Sequence, residues 1–328
     1  MIELFVISIA VGLLSGDYAR HEGRMRSSGE HRRLGQNLAA LIISQLVAKG
    51  LPQDSVLGTE AELLRGFGVS RGTFREALRQ LEWQGVVKAY RGAGGGLRVS
   101  RPSGFVPMFM LKVYFELARM DQVAMRQALR ALQRAMEHPA NTGGNEILAL
   151  LTRAVDGQFV AAIDRRQERA GRSPKLSERV AYRLTLEIED RDLKPGDALG
   201  RESELIERMK IGRGVLREAL NLMELNGFIE TRRGAGGGIY VGEPSADFTI
   251  YVARVHLALA STDGTVASAQ RLLLDACEEA GLAESCEQGP GNAMAAAART
   301  FADRTHNPVL QILMRIFERY WENFRPEV

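Results

Sequence analysis

Cysteine is nearly missing: Cys277 and Cys286 are the only two in 328 residues, and no CxxC spacing joins them. That excludes a disulfide scaffold and a zinc ribbon, and it suits a reducing cytoplasm. Aromatic residues are sparse at 6%, against 34 glycines, which argues against an aromatic-rich β-sandwich. An excess of one charge is lacking too. The 43 basic and 40 acidic residues leave a net of +3, so affinity for nucleic acid must come from local patches. The apolar stretch Ile2 to Leu14 is broken by Glu3, Ser8 and Gly12 and falls short of the ~20 residues of a transmembrane helix. It also lacks the leading positive charge of a signal peptide. We expect residues 1–33 to be an N-terminal extension, disordered or untranslated, with Met25 as the working initiator. The remaining composition, 45% hydrophobic and 25% charged, is that of a globular protein, with length for about two domains.

What is abundant is repetition. A shift of 142 residues lays Arg91–Gly96 on Arg233–Gly238 (both RGAGGG) and Arg75–Leu78 on Arg217–Leu220 (both REAL). Between 34–103 and 176–245, 25 of 70 positions are identical without a gap, so the chain is a tandem duplication of one module. Each copy is followed by a more divergent apolar tract.

Within the first copy, Leu38, Leu41, Ile42, Gln45 and Leu46 have helical spacing, and Gly50-Leu51-Pro52 ends that helix. Thr59-Glu60-Ala61-Glu62 is a capping box opening a short second helix, which Gly66 and Gly68 close. Ser70 caps a third helix from Arg71 to about Trp83. Val86-Val87 and Leu97-Arg98-Val99 then read as two strands joined by the Gly-rich 92–96. Three helices and a two-stranded hairpin is the order of a winged helix-turn-helix, whose third helix enters the major groove.

The residues at that helix suit the task. Arg71, Arg75 and Arg79 form one stripe, able to fork onto guanine or clamp phosphates, while Phe74, Leu78 and Leu81 form an anchoring stripe. Gly72 keeps the backbone close, and Thr73 offers a hydroxyl and a methyl. The wing Arg91–Gly96 has little bulk, so its backbone can approach DNA while Arg91 reaches a phosphate or the minor groove. Taken alone, the arginine triplet reads as a solvated face, and GAGGG as a flexible loop or a nucleotide cradle. The order and its recurrence favour DNA. A P-loop would need a following Gly-Lys-Ser/Thr, and a dinucleotide site would need the glycines to open a helix; neither holds.

Leu57–Leu63, Val69–Leu78, Arg91–Gly96 and Val99 with Pro102-Ser103 resemble the DNA-binding domain of the GntR family of bacterial transcription regulators, FadR-like branch, in both copies. The resemblance implies a dimer on a pseudo-palindromic operator. By position it implies contacts from Ser70, Arg71, Gly72, Thr73, Arg75, Arg91 and Gly92, and from Gly212, Arg213, Gly214, Val215, Arg217, Arg233 and Gly234. Arg79 extends the first row, and Arg232 joins Arg233 on the second wing. Family members often place a DNA-touching arginine early in the second helix, where this chain has Ala61 and Ser203.

The copies are unequal. Residues 34–103 carry 9 basic and 5 acidic groups, net +4; residues 176–245 carry 11 and 13, net −2. Ser70, Thr73 and Arg79 become Gly212, Val215 and Asn221, and the Thr59 cap becomes Arg201. Phosphate neutralisation dominates affinity, so the first copy should bind more strongly.

The expected architecture is mainly α: winged modules at 34–103 and 176–245, each followed by a short helical bundle segment, 104–170 and 246–328. The first tract reads as helices Phe105–Met120, Gln122–Met136 and Asn145–Arg166. The second reads as Phe248–Ala260, Val266–Ala283, Asn292–Ala302 and Pro308–Phe324. Gly144–Leu148 and His306–Leu310 weakly resemble a Gly-Asn-Pro-Leu-Leu stretch of the family's helical effector domain. The family's metal-ligand positions fall on Leu132, Met136, Met294 and Ala298, which cannot hold a metal, so no metal or cofactor is expected. His138, His256 and His306 read as ordinary groups, and Cys277 and Cys286 as unremarkable thiols. These tracts are expected to serve association, packing on each other.

The reading is a cytoplasmic, nucleoid-associated transcription regulator, a repressor by the family's habit. Its partners would be an operator duplex and a second copy of the chain, with no membrane partner and any small-molecule effector unidentified. The alternatives are an adaptor that has lost DNA binding, favoured by the acidic second copy, and a nucleotide-using enzyme. The last lacks a phosphate lysine, a Ser/His/Asp set and a facing carboxylate pair, so no catalytic residue is assigned.

Overall fold

The computed structural model describes residues 30–90, 92, 95–100, 102, 104–141, 143–156, 176–234, 236–282 and 292–324. Positions 1–29 of the expected extension, Met25 among them, lie outside the described residues, as do Arg91 and Cys286.

The first module runs α1 (Glu30–Ala48), β1 (Val56–Gly58), α2 (Glu60–Phe67), α3 (Arg71–Trp83), β2 (Val87–Tyr90) and β3 (Gly96–Val99). The apolar spacing read for α1 places Leu38, Leu41, Ile42 and Leu46 in the core, and α1 packs along α3 through them. Phe74 and Leu81 of α3 are buried with them, and the Phe67 and Phe74 rings stack 6.2 Å apart. The capping box is complete: Thr59 Oγ1 accepts from the Glu62 N–H at 3.3 Å, and Glu62 Oε2 accepts from the Thr59 N–H at 2.7 Å. Hydrogen bonds from the Thr59 backbone and side chain hold the Glu62 carboxyl below its ordinary pKa. Gly68 ends α2 in the left-handed region at φ 63°.

The sheet corrects the two-stranded expectation. Three strands lie in the order β1-β3-β2, all antiparallel, with Val56 opposite Arg98 and Lys88 opposite Arg98 on the other side. The added strand has only three residues, too short to show alternation. Gly96 is required where β3 meets it, because a Cβ there would lie 2.8 Å from the Gly58 carbonyl oxygen.

The second module repeats the plan as α7 (Leu176–Asp190), β4 (Ala198–Gly200), α8 (Glu202–Met209), α9 (Arg213–Leu225), β5 (Ile229–Arg232) and β6 (Gly238–Val241), with strand order β4-β6-β5. Before it come α4 (Phe105–Leu117), α5 (Gln122–Glu137) and α6 (Asn145–Val155). After it come α10 (Ala246–Ala260), α11 (Asp263–Glu279), α12 (Asn292–Arg304) and α13 (Pro308–Phe324). Helix α6 ends at Val155, its cap Asp156 being extended at φ −69°, ψ 127°, and residues 157–166 of the expected helix lie outside the described residues.

Two compact units result, one holding the residues up to Val106 with Ala258–Ala260, the other holding Pro107–Leu257 and the residues from Ser261 onward. In the second unit the two helical tracts share a core. α5 packs against α6 and α11 and also meets α13, while α12 and α13 lie along each other. Asn307 fastens the tracts together. Its Nδ2 donates to the Ala124 carbonyl at 2.9 Å and to Gln127 Oε1 at 3.1 Å, and its Oδ1 accepts from the N–H groups of Val309 and Leu310. This Asn sits in the stretch singled out for its effector-domain resemblance, and here it caps α13 and ties it to α5.

Candidate nucleic-acid interface

The first turn of α3 is built by Ser70, whose Oγ accepts from the Thr73 N–H at 3.1 Å. The hydroxyls of Ser70 and Thr73 also pair at 2.9 Å, and Thr73 is only 3% exposed. This corrects the contact expected of Thr73: its side chain is turned into the module, where its hydroxyl serves the cap. Ser70, Arg71, Gly72, Arg75 and Arg79 are exposed together. The arginine stripe thus faces outward while Phe74, Ala77 and Leu81 face the core.

The three guanidiniums differ in company. Among the described residues Arg71 has no ion-pair partner. Arg75 lies 3.6 Å from Glu60 at the head of α2, and Arg79 is paired with Glu76 one turn back. Arg75 and Arg79 keep 63% and 62% of their side-chain surface in solvent, so a phosphate or base edge competes with these pairs in water. The helix N-terminus adds its amides to the same surface. On the wing, Gly92 is exposed at φ 99° and its carbonyl accepts from the Gly95 N–H at 2.8 Å. Arg91 lies outside the described residues.

In the second module Arg213, Gly214 and Arg217 are likewise exposed at the head of α9, and Gly212 caps the helix without any side-chain hydrogen bond. Val215, at the place of Thr73, is half-buried. Both arginines lean on one carboxylate: Arg217 Nε is 3.1 Å and Arg213 Nε 3.7 Å from Glu202 Oε1. Arg232, Arg233 and Gly234 are exposed on the wing, Gly234 at φ 92°. Arg232 is not a free cation. Its guanidinium lies 4.1 Å from the centroid of the Tyr240 ring and 3.3 Å from Glu230.

Sequence reasoning missed the outer face of the sheets. Lys88 and Arg98 flank the exposed ring of Tyr90, at 5.4 and 5.2 Å from its centroid. The apolar residues alone are enough to mark the hairpin, and they say nothing of its other face. The signal was present in the alternation, since Lys88, Tyr90 and Arg98 fall between inward-facing Val87, Leu97 and Val99.

Of the family's metal-ligand positions, Leu132, Met294 and Ala298 are buried apolar core, and no cluster of ligating side chains occurs among the described residues. Cys277 is fully buried, and burial pushes its thiol up to about 12, which makes it a poor nucleophile. No described helix is long and apolar enough to cross a membrane.

Comparison with known proteins gives the same two segments. The family described as "Bacterial regulatory proteins, gntR family" matches residues 34–96 and again 176–241. A Mycobacterium gastri protein named as an HTH-type transcriptional regulator, RmpR, is 35% identical over 92 residues, which is 27% of this chain and 32% of that protein. The match therefore spans about a third of the relative's length. No solved structure matches. Two arginine-headed helices, each followed by a glycine-tipped wing, coincide with the two segments that are similar to the gntR family of bacterial regulatory proteins.

Proposed function

We propose that the chain is a transcription regulator that binds duplex DNA through α3 and the wing of its first module and, more weakly, through α9 and the wing of its second. The single observation that carries this reading is the exposed stripe Arg71–Arg75–Arg79, set at the N-terminus of a helix whose opposite face is fully packed. Such a helix offers bidentate donors to base edges and amides to phosphates at one surface. With two modules in one chain, a single polypeptide supplies both reading heads that a dimer otherwise brings. Because the heads differ, the operator they read is an asymmetric variant of a palindrome, with the stronger half under the first module. Repression, by occupying a promoter, and a cytoplasmic setting follow the family's habit, and the shared helical core serves association. The adaptor alternative rests on the acidic second module, whose arginines are partly neutralised by Glu202 and Glu230.

The test is selection of bound fragments from the source genome, followed by a salt titration of the winning duplex. Specific binding whose affinity falls steeply with salt supports the proposal. Equal affinity for selected and scrambled duplexes would sink it and favour the adaptor.

A further inference from the structure

The outer sheet faces of the two modules carry the same stacking pair with the partners exchanged. In the first module Tyr90 is on β2 and Arg98 on β3; in the second Arg232 is on β5 and Tyr240 on β6. The stack itself survives the exchange, at 5.2 Å and 4.1 Å. What does not survive is the charge beside it. Lys88 of the first module is replaced by Glu230, which pairs with Arg232 at 3.3 Å and leaves that face neutral. On the first face two cations approach one ring, and among the described residues neither Lys88 nor Arg98 has a carboxylate within ion-pair distance. Lys88 and Arg98 are cross-strand partners, so two like charges share one face of the sheet, and a nearby anion would offset their repulsion.

We propose that Lys88, Tyr90 and Arg98 form a backbone-phosphate clamp on the duplex, outside the groove read by α3 and present in the first module only. The proposal rests on the DNA-binding reading above and adds a second contact surface to it. Position supports a duplex as the source of the phosphate. Tyr90 is opposite Gly96 at the mouth of the glycine tip, and Lys88 lies two residues behind it, roughly 7 Å along the strand. A wing tip at the duplex therefore carries these cations with it. Tyr90 remains 41% exposed, and among the described residues its hydroxyl has no hydrogen-bond partner, whereas the Tyr240 hydroxyl donates to the Gly236 carbonyl at 2.7 Å. The first ring can thus donate to a phosphate oxygen, while the second has its proton engaged.

The experiment is fluorescence-anisotropy titration of the full chain on its selected duplex and on a scrambled one, over a salt series. Each phosphate contact contributes about 0.9 to the slope of log affinity against log salt. Lys88→Gln is expected to reduce the steepness by about 0.9 and Lys88→Gln/Arg98→Gln by about 1.8, equally on both duplexes. Glu230→Lys is expected to steepen it. Thermal melting of Lys88→Gln should match wild type, since the residue is exposed. If wild type binds, Arg71→Ala/Arg75→Ala abolishes selectivity, and Lys88→Gln and Glu230→Lys both leave the slope unchanged, the clamp is overturned while the DNA-binding reading stands. If wild type shows no selective binding, both fall.

Discussion

In the first module Thr59 closes a full capping box on α2 and Ser70 caps α3 with its hydroxyl; in the second the same places hold Arg201 and Gly212. A guanidinium has no lone pair to offer, so only half of that box persists, Glu204 Oε2 accepting from the Arg201 N–H at 2.8 Å. The C-cap of α2 is Gly68, whereas α8 ends on Lys210, forced to φ 53°. The interiors show no such loss. Leu63 and Leu205, Phe74 and Leu216, Val86 and Phe228, Leu97 and Ile239 are each buried at matching positions. The two modules therefore share the pattern that packs them and differ in the polar groups that terminate helices and in the charges on their exposed faces. Packing is needed by both copies merely to exist, whereas a missing cap costs a helix end only about 1 kcal/mol.

The largest expected effect separates the two reading heads. Arg71→Ala/Arg75→Ala should weaken binding to the selected duplex by ~100-fold, from about 1–3 kcal/mol per base-reading arginine. Arg213→Ala/Arg217→Ala should cost less than ~10-fold, because both side chains already share Glu202 and the module is net acidic. Anisotropy at one fixed salt concentration decides, and equal losses would break the asymmetry. Next come the caps. Thr59→Ala should destabilise α2 by about 1 kcal/mol, and Arg201→Thr should stabilise α8 by a similar amount. Hydrogen exchange of the amides in those two helices reads each effect locally, and a gain at Arg201→Thr as small as at a surface control would show that the half box suffices. Lys210→Gly should add about 0.5–1 kcal/mol by relieving the left-handed backbone, whereas Gly68→Lys should lose as much.

The smallest effect is one of pH, at a place where the second module meets α4. Glu189 of α7 faces Glu116 of α4; burial, the hydrogen bond to Glu116 and its charge push the Glu189 carboxyl up to about 7, with Asp190 adding to the shift and Lys112 opposing it. Lys112 is itself buried and ion-paired with Glu116, and Tyr182 of α7 lies close enough to both glutamates to be pushed above the ordinary phenol range, chiefly by burial. A carboxyl with a raised folded-state value contributes fully below its unfolded value near 4.5 and loses that contribution as pH rises through about 7. The α4–α7 contact should therefore loosen modestly between about pH 5 and 8, read as faster hydrogen exchange in α7. Glu189→Gln should flatten that dependence, and an unaltered profile would remove the pair from any role there. The first module, with no such carboxyl pair among the described residues of α1, should show a flat profile over that same range.

Much of this is legible in the residues themselves. Helix α3 runs from Arg71 to Trp83 as its cap and its apolar stripe dictate, and α13 spans Pro308–Phe324 as its pattern predicts. Local chemistry fixes such ends: a hydroxyl at the N-cap, a glycine or proline beyond the last turn. The misses are of a different kind. β1 is three residues long and owes its existence to β3, a partner from the far end of the module. Thr73 lies one turn before Ala77 and two before Gln80 on the buried face of α3, a spacing that the reading by family position passed over. The joint claim of Arg213 and Arg217 on Glu202 links residues 11 and 15 apart through a turn. That the helical tracts pack on each other follows from their apolar content; that Asn307 fastens them emerges only from the fold.

That fastening has a consequence for how the duplication can change over time. A repeated gene segment ordinarily leaves one copy spare, free to be trimmed away. Here α5, from the first half, covers α11 and α13 of the second and is hooked by Asn307 from the other end. Deleting the earlier half would strip the later one of its interior wall, and truncating before Asn307 would unhook the earlier. Neither half is disposable, and the two winged modules are obliged to be inherited, expressed and degraded as one molecule, in a strict ratio of one to one.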